Sequence, residues 1–135
     1  MRARMALSYA NIDVEIREIS LKEKPAHMLA VSPKGTVPVL VLTDGNVFEQ
    51  SLDIIDWALT KSDIDDWAMQ AELDGKRLTD ALILLNDGEF KQALDKYKYA
   101  NRFPKNPPEI YRAQGEEFLK RLESLLSQTT YLCRD

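Results

Sequence analysis

The chain has 135 residues, about the length of one average domain, which leaves room for one or two small cores. Hydrophobic residues make up 44% and charged residues 30%, a balance that excludes low-complexity and disordered chains. The net charge of −4 without a basic run disfavours nucleic acid as a partner. No apolar run approaches the roughly 20 residues of a membrane-spanning helix, so we expect no membrane partner either. The single cysteine, Cys133, cannot form an internal disulfide, which fits a reducing, cytoplasmic compartment.

The first 31 residues predict a helix, a strand and a short helix. Residues 1–11 are rich in helix formers but have no capping residue before them. Ile12–Ile19 begins with alternating apolar and charged residues, which predicts a half-buried strand. A short helix follows within Lys22–Val31, with Pro25 in its first turn, and Ser32-Pro33 ends it.

The next elements are a hairpin and a helix. Val39–Leu42 and Val47–Phe48 flank an Asp-Gly turn, which predicts two antiparallel strands. Ser51 precedes apolar residues at helical spacing and is a candidate N-cap.

Beyond residue 61 the strand signal disappears. The acidic stretch 62–66 predicts a linker. Trp67–Asn101 has the periodicity of one long or bent helix, Phe103–Pro108 interrupts it, and Tyr111–Leu126 predicts a further helix. The sequence therefore predicts an α/β domain over 1–61, a linker over 62–66 and an all-helical domain over 67–135.

The chemistry that can be inferred from single residues is limited. The chain has no Cys-x-x-Cys, no phosphate-binding loop and no cluster of ligands at metal-binding spacing, so we expect no metal and assign no metal ligand. His27 is the only histidine, and we interpret it as solvent-facing or structural. Cys133 lies near the chain end, where little would position a nucleophile. We therefore assign no catalytic residue.

Two pairs of residues suggest binding. Pro38 cannot donate to a sheet ladder, so Val37-Pro38 occupies an edge, a bend or a cis peptide, and could leave Val37 free to pair with an extended ligand. The alternative is that Pro38 only starts the strand. Gln50-Ser51 stands at a helix start, where free N–H groups bind anions, although in isolation ordinary capping by Ser51 is the favoured explanation.

The order of these features resembles the cytosolic glutathione transferase family. The resemblance rests on Ser32-Pro33-Lys34-Gly35-Thr36-Val37-Pro38-Val39-Leu40, on Glu49-Gln50-Ser51-Leu52-Asp53-Ile54 and on the helical second half. Lys24, directly before Pro25, matches a lysine of the cysteine-type, omega-like branch, which this chain therefore resembles most. The resemblance implies a thioredoxin-like domain followed by a helical domain, a homodimer, and glutathione as substrate without a metal.

The resemblance also implies the roles of individual residues. Val37, before a cis Pro38, would pair its backbone with the cysteinyl part of glutathione. Gln50 and Ser51 would hold the γ-glutamyl end, and Lys24 would contact the glycyl carboxylate. The aromatic residues Phe90, Tyr97, Tyr99 and Tyr111 are candidates for a second-substrate pocket, but we interpret them first as core residues.

Both ends depart from the family pattern. Residues 1–7 resemble the interior of the family's first helix, and residues 130–135 resemble the segment before a later core helix. We therefore expect the first strand, the nucleophile and the last helices to be missing, in a fragment or in a shortened protein. The leading interpretation is a glutathione-binding protein whose parent conjugates glutathione to an electrophile, or transfers thiols and reduces mixed disulfides. The alternative is a non-enzymatic dimerisation or interaction module with the same fold.

Overall fold

A computed structural model describes residues 1–133, in two units that divide between Ala68 and Met69. The predicted domain boundaries, 1–61, 62–66 and 67–135, stay predictions, and residues 134 and 135 of the last domain lie outside the described part. Within residues 1–133, none of the helices combines the length and the apolar character that crossing a membrane requires.

The first unit opens with helix α1, Arg2–Tyr9. As predicted, no side chain within residues 1–133 caps its start, where Met1 is the N-cap residue. At its other end Asn11 has a φ of 54°, a left-handed conformation that asparagine tolerates better than most residues. The N–H groups of Asn11 and Ile12 donate to the carbonyls of Ser8 and Leu7. This pair of bonds satisfies carbonyls that the helix itself leaves open.

The predicted strand over Ile12–Ile19 does not form a ladder. Among residues 1–133 the only sheet joins 40–41 to 47–48; Ser20 and Glu23 form an isolated bridge, and residues 12–19 have no strand partner. Val14 and Ile16, which alternation assigned to a buried face, are 38% and 56% exposed. Alternation selects the face that a strand would bury, but a ladder needs a neighbouring strand, and the described residues do not supply one.

The remaining elements of this unit follow the predicted order. They are α2, Ala26–Val31; β1, Leu40–Val41; β2, Val47–Phe48; and α3, Ser51–Lys61. The strands are antiparallel, with Leu40 opposite Phe48 and Val41 opposite Val47. The hairpin is therefore confirmed, although each strand has only two residues.

The core of the first unit lies between α1 and α3. Its buried residues are Ala3, Ala6, Leu7, Ala10, Ile54 and Ala58. The α1 alanines recur every three or four residues and share one face, where their small side chains admit the neighbouring helix. Ile54 is 1% exposed and is the largest side chain that is almost completely buried. The position of α3, whose first turn carries Ser51, thus depends on this contact.

A polar cluster around Asp63 joins the end of α1 to the residues after α3. Asp63 accepts hydrogen bonds from the Tyr9 hydroxyl at 3.1 Å and from the Trp67 and Ala68 N–H groups at 2.7 and 2.9 Å. The Tyr9 ring stacks on Trp67 at 3.9 Å between centroids, and its oxygen accepts the Asp65 N–H. Burial, with Asp63 nearby, raises the pKa of the Tyr9 phenol. The predicted linker is thus held in place by specific contacts.

The second unit is helical. Its elements are α4, Leu73–Leu85; a π-helical turn, Asn86–Phe90; α5, Lys91–Lys98; a 3₁₀ turn, Ala100–Arg102; and α6, Pro108–Leu126. The helix predicted over 67–101 therefore begins later, at Leu73. The π-helical turn contains Gly88, and such turns bend a helix without ending it.

Two of the four aromatic candidates belong to the interior of this unit. Tyr111 is 5% exposed, which confirms the core interpretation for that residue. Phe90 is half-buried and contacts Phe118, with ring centroids 5.1 Å apart. Tyr97 and Tyr99 are 41% and 45% exposed and are not core residues.

Gly115→Ala is expected to raise the free energy of unfolding by about 0.5–1 kcal/mol, because alanine favours a helix interior over glycine. Gly115 lies within α6, and a Cβ there would sit 3.6 Å from the Phe90 ring and 3.9 Å from the Ala93 Cβ, which is ordinary contact. Urea denaturation measures the change. At Gly75 a Cβ would approach the Met69 Cε to 2.7 Å and the Cys133 carbonyl to 3.2 Å. Gly75→Ala is therefore the control, and an equal gain from both would contradict the prediction.

Candidate functional site

The register of the hairpin brings the two predicted binding segments to one end of it. Because Leu40 pairs with Phe48, the residues before β1 and the residues after β2 lie at the same end of the hairpin, opposite the Asp-Gly turn. Val37 and Pro38 belong to the first segment, and Gln50 and Ser51 to the second. The Val37-Pro38 peptide bond is cis, as predicted. Val37 is 52% exposed and lies outside the ladder, so Pro38 does not simply begin the strand.

Gln50 and Ser51 form the start of α3, with one correction to the prediction. The N-cap residue is Gln50, and no side chain within residues 1–133 caps the helix; Ser51 is its first helical residue. The Ser51 Oγ instead accepts a hydrogen bond from the Arg2 Nε at 2.8 Å. A hydroxyl that accepts one hydrogen bond keeps its own hydrogen for donation to another group. The start of α3 thus combines exposed Gln50, a hydroxyl, a nearby guanidinium and the positive end of a helix.

Lys24 lies against the loop that leads to Val37. A Cβ on Gly35 would lie 3.2 Å from the Lys24 Cδ and 3.3 Å from its Nζ, so the lysine side chain passes directly over this glycine. Gly35 also has a φ of +60°, which glycine adopts without strain. A substitution at Gly35 would therefore displace Lys24 as well as strain the loop.

Two residues that the sequence did not single out join the loop to α3. Ser32 is completely buried, and its hydroxyl donates to the Glu49 Oε1 at 2.7 Å. The other oxygen of Glu49 lies 3.6 Å from the Lys34 Nζ. The Ser32 hydrogen bond lowers the pKa of Glu49, and the Lys34 charge adds to this effect. The sequence does show that Glu49 is an acidic residue directly before Gln50-Ser51. It does not show that the partner of Glu49 is Ser32, 17 positions away.

Several solved structures with the same fold are glutathione transferases by title. A delta-class enzyme from Nilaparvata lugens matches with a TM-score of 0.81 at 17% identity, over 99% of this chain and 64% of that one. An epsilon-class enzyme from the housefly, Musca domestica, matches with a TM-score of 0.78 at 24% identity, over 99% and 64%. The chain has the glutathione transferase fold. A glutathione S-transferase-I bound with lactoylglutathione also matches, with a TM-score of 0.75 at 21% identity, over 99% and 68%.

The sequence itself matches a family model in its first half. Residues 1–63 match the model described as glutathione S-transferase, N-terminal domain. A search of curated proteins found no match. The chain spans less than two thirds of the length of the two insect enzymes. The predicted architecture is thus confirmed: the chain has a thioredoxin-type N-terminal domain followed by a helical region. The sheet that the structure describes has two strands.

His27 and Cys133 are the other reactive side chains that the sequence analysis named. His27 is exposed on α2, which fits the prediction of a solvent-facing histidine, and Cys133 is half-buried in the second unit. Across residues 1–133, no group of three His, Cys, Asp or Glu side chains is placed to hold a metal ion. A groove of about 230 Å³ runs along α1 and residues 11–16, and the five predicted positions lie outside its lining.

Proposed function

We propose that this chain carries the glutathione-binding site of a glutathione transferase. The observation that supports it most is the match of residues 1–63 to the N-terminal domain of that family, a segment that contains all five candidate residues. The geometry is compatible with this proposal, because the hairpin register brings the loop and the start of α3 to one end. The residues that would bind glutathione are Lys24, Val37, Pro38, Gln50 and Ser51.

Each part of glutathione meets a group of suitable chemistry in this proposal. The γ-glutamyl carboxylate accepts hydrogen bonds from the Gln50 amide, the Ser51 hydroxyl and the free N–H groups of α3. The Arg2 guanidinium, bonded to the Ser51 Oγ, adds positive charge there. The backbone of Val37, a half-exposed residue outside the ladder, pairs with the cysteinyl unit as a short extended ligand. Lys24 supplies a cation for the glycyl carboxylate.

The reaction is proposed at the level of the whole protein that contains these residues. A thiol or hydroxyl at a helix start, where the dipole favours an anion, would activate glutathione for conjugation to an electrophile or for exchange with a disulfide. We assign no catalytic residue to this chain. The proposal also includes membership of the cysteine-type, omega-like branch and two domains, over 1–61 and 67–135. It further includes a cytoplasmic location and a homodimer.

Gln50→Ala and Ser51→Ala are each expected to weaken glutathione binding about tenfold or more. The reason is that losing a hydrogen bond to a charged carboxylate costs about 1.5–3 kcal/mol. Because the Gln50 side chain makes no capping bond to α3 within the described residues, its removal leaves the helix start intact. Isothermal titration calorimetry with glutathione measures the dissociation constants.

The matched controls are Gln92→Ala and Ser124→Ala, two exposed positions in the second unit. These variants are expected to bind glutathione like the unmodified chain. Unchanged dissociation constants for both Gln50→Ala and Ser51→Ala would show that the site is assigned wrongly. Absence of glutathione binding by the unmodified chain would instead favour the non-enzymatic interaction module.

A further inference from the structure

The buried hydroxyl of Ser32 has one side-chain partner that fixes its direction. Ser32 directly follows α2, is 0% exposed, and its N–H donates to the Met28 carbonyl at 2.9 Å. Its carbonyl accepts the Gly35 N–H at 2.9 Å, which folds the loop back towards Lys24. Its hydroxyl donates to Glu49, and a buried hydroxyl without a partner is costly. Ser32 therefore couples the shape of this loop to the position of Glu49.

Glu49 directs both carboxylate oxygens at the same loop. One oxygen accepts the Ser32 hydroxyl at 2.7 Å, and the other lies 3.6 Å from the Lys34 Nζ. The side chain is 27% exposed, so water competes with these contacts only in part. Because Glu49 directly precedes Gln50, the carboxylate is attached to the backbone at the start of α3. It thus links the loop that carries Val37 to the helix that carries Ser51.

The β1–β2 ladder alone is a weak link between these two segments. It contains two residue pairs, and hairpins that short are marginal without further contacts. Val37 lies three residues before the ladder, and Gln50 lies two residues after it. The Ser32–Glu49–Lys34 contacts therefore supply a second link close to the point where the segments would bind a ligand.

We propose that Glu49 is a positioning residue for the loop over residues 32–38, which contains Val37. Glu49 holds this loop at the distance from the start of α3 that lets one glutathione molecule contact both. This inference rests on the proposed function. A ligand that bridges two subsites gains affinity from their fixed spacing, whereas a ligand that occupies one subsite gains nothing from it. The loss of Glu49 thus penalises bridging ligands selectively.

The test compares glutathione with γ-glutamyl methylamide, a probe that reaches only the start of α3. In Glu49→Ala the dissociation constant of glutathione, followed by NMR titration, is expected to rise about tenfold, while that of the methylamide stays within about twofold. Glu49→Gln keeps the size and an oxygen that accepts the Ser32 hydroxyl, so it is expected to restore most of the affinity. Ser32→Ala combined with Glu49→Ala is expected to add little, because both remove the same hydrogen bond.

A change at buried Ser32 could prevent folding, so Lys34→Met is a second test of the same link. Lys34 is exposed, and the substitution removes only its contact with the Glu49 Oε2. It is expected to raise the glutathione dissociation constant by a smaller factor than Glu49→Ala. Glu123→Gln, on exposed α6 surface, is the control. Equal losses for glutathione and the methylamide, or no loss for either, would overturn the positioning role while leaving the proposed function intact. If the unmodified chain binds neither ligand, the proposed function itself fails.

Discussion

Ile54→Ala is expected to lower the free energy of unfolding by about 3 kcal/mol, the largest effect of any substitution considered for this chain. Ile54 is 1% exposed and lies in the core shared by α1 and α3. Removing three carbons there loses their burial and leaves a cavity that two packed helices cannot close fully. Urea denaturation measures the change. Because Ile54 lies one turn after Ser51, we expect weaker glutathione binding as a secondary effect.

Ile64→Ala is the matched control, since the same atoms are removed from a side chain that is 88% exposed in the same unit. Its expected effect lies within about 0.5 kcal/mol. Similar losses at Ile54 and Ile64 would mean that the α1–α3 contact is not the core of the first unit.

Asp63→Ala is expected to destabilise the first unit by about 2–3 kcal/mol. The carboxylate accepts hydrogen bonds from the Tyr9 hydroxyl and from the N–H groups of Trp67 and Ala68, and its removal leaves these donors without that partner. Each bond to a charged group contributes about 1.5–3 kcal/mol, but the three share one acceptor and partial exposure returns some donors to water, so the sum is smaller. Thermal unfolding followed by tryptophan fluorescence measures the loss.

Tyr9→Phe separates the hydrogen bonds from the ring contact, because phenylalanine keeps the stack on Trp67. It is expected to cost about 1 kcal/mol, less than Asp63→Ala. Asp13→Ala, at an exposed position in the same unit, is the control for loss of one negative charge. If Asp13→Ala and Asp63→Ala have the same effect, net charge and not the hydrogen-bond cluster accounts for the change.

The residues of the candidate site are predicted from the sequence and stay a prediction, whereas the contacts between them could not be predicted. The resemblance assigned roles to Val37, Gln50 and Ser51 from short motifs whose order along the chain is specific. It did not indicate that Arg2 donates to the Ser51 Oγ, a contact across 49 positions. A motif records which residue types follow one another, whereas a hydrogen bond between distant side chains depends on how the intervening chain folds.

Local signals were sufficient for the features that neighbouring residues decide. Pro25 in a first turn predicted α2, helix periodicity after the proline-rich break predicted α6, and the Asp-Gly turn predicted the hairpin. These features depend on backbone preferences and on contacts within a few residues, which a sequence displays directly. The same reasoning failed over Ile12–Ile19, because a strand is completed by a partner and not by its own alternation.

Tertiary structure alone decided the long-range side-chain contacts of the first unit. Ser32 and Glu49 are 17 residues apart, and Tyr9 and Asp63 are 54 apart, yet each pair shares a hydrogen bond. The local sequence around each of these residues does not indicate which distant residue it will contact. They acquire their partners only when α1 packs on α3 and the hairpin closes, because burial then removes water as the competing partner.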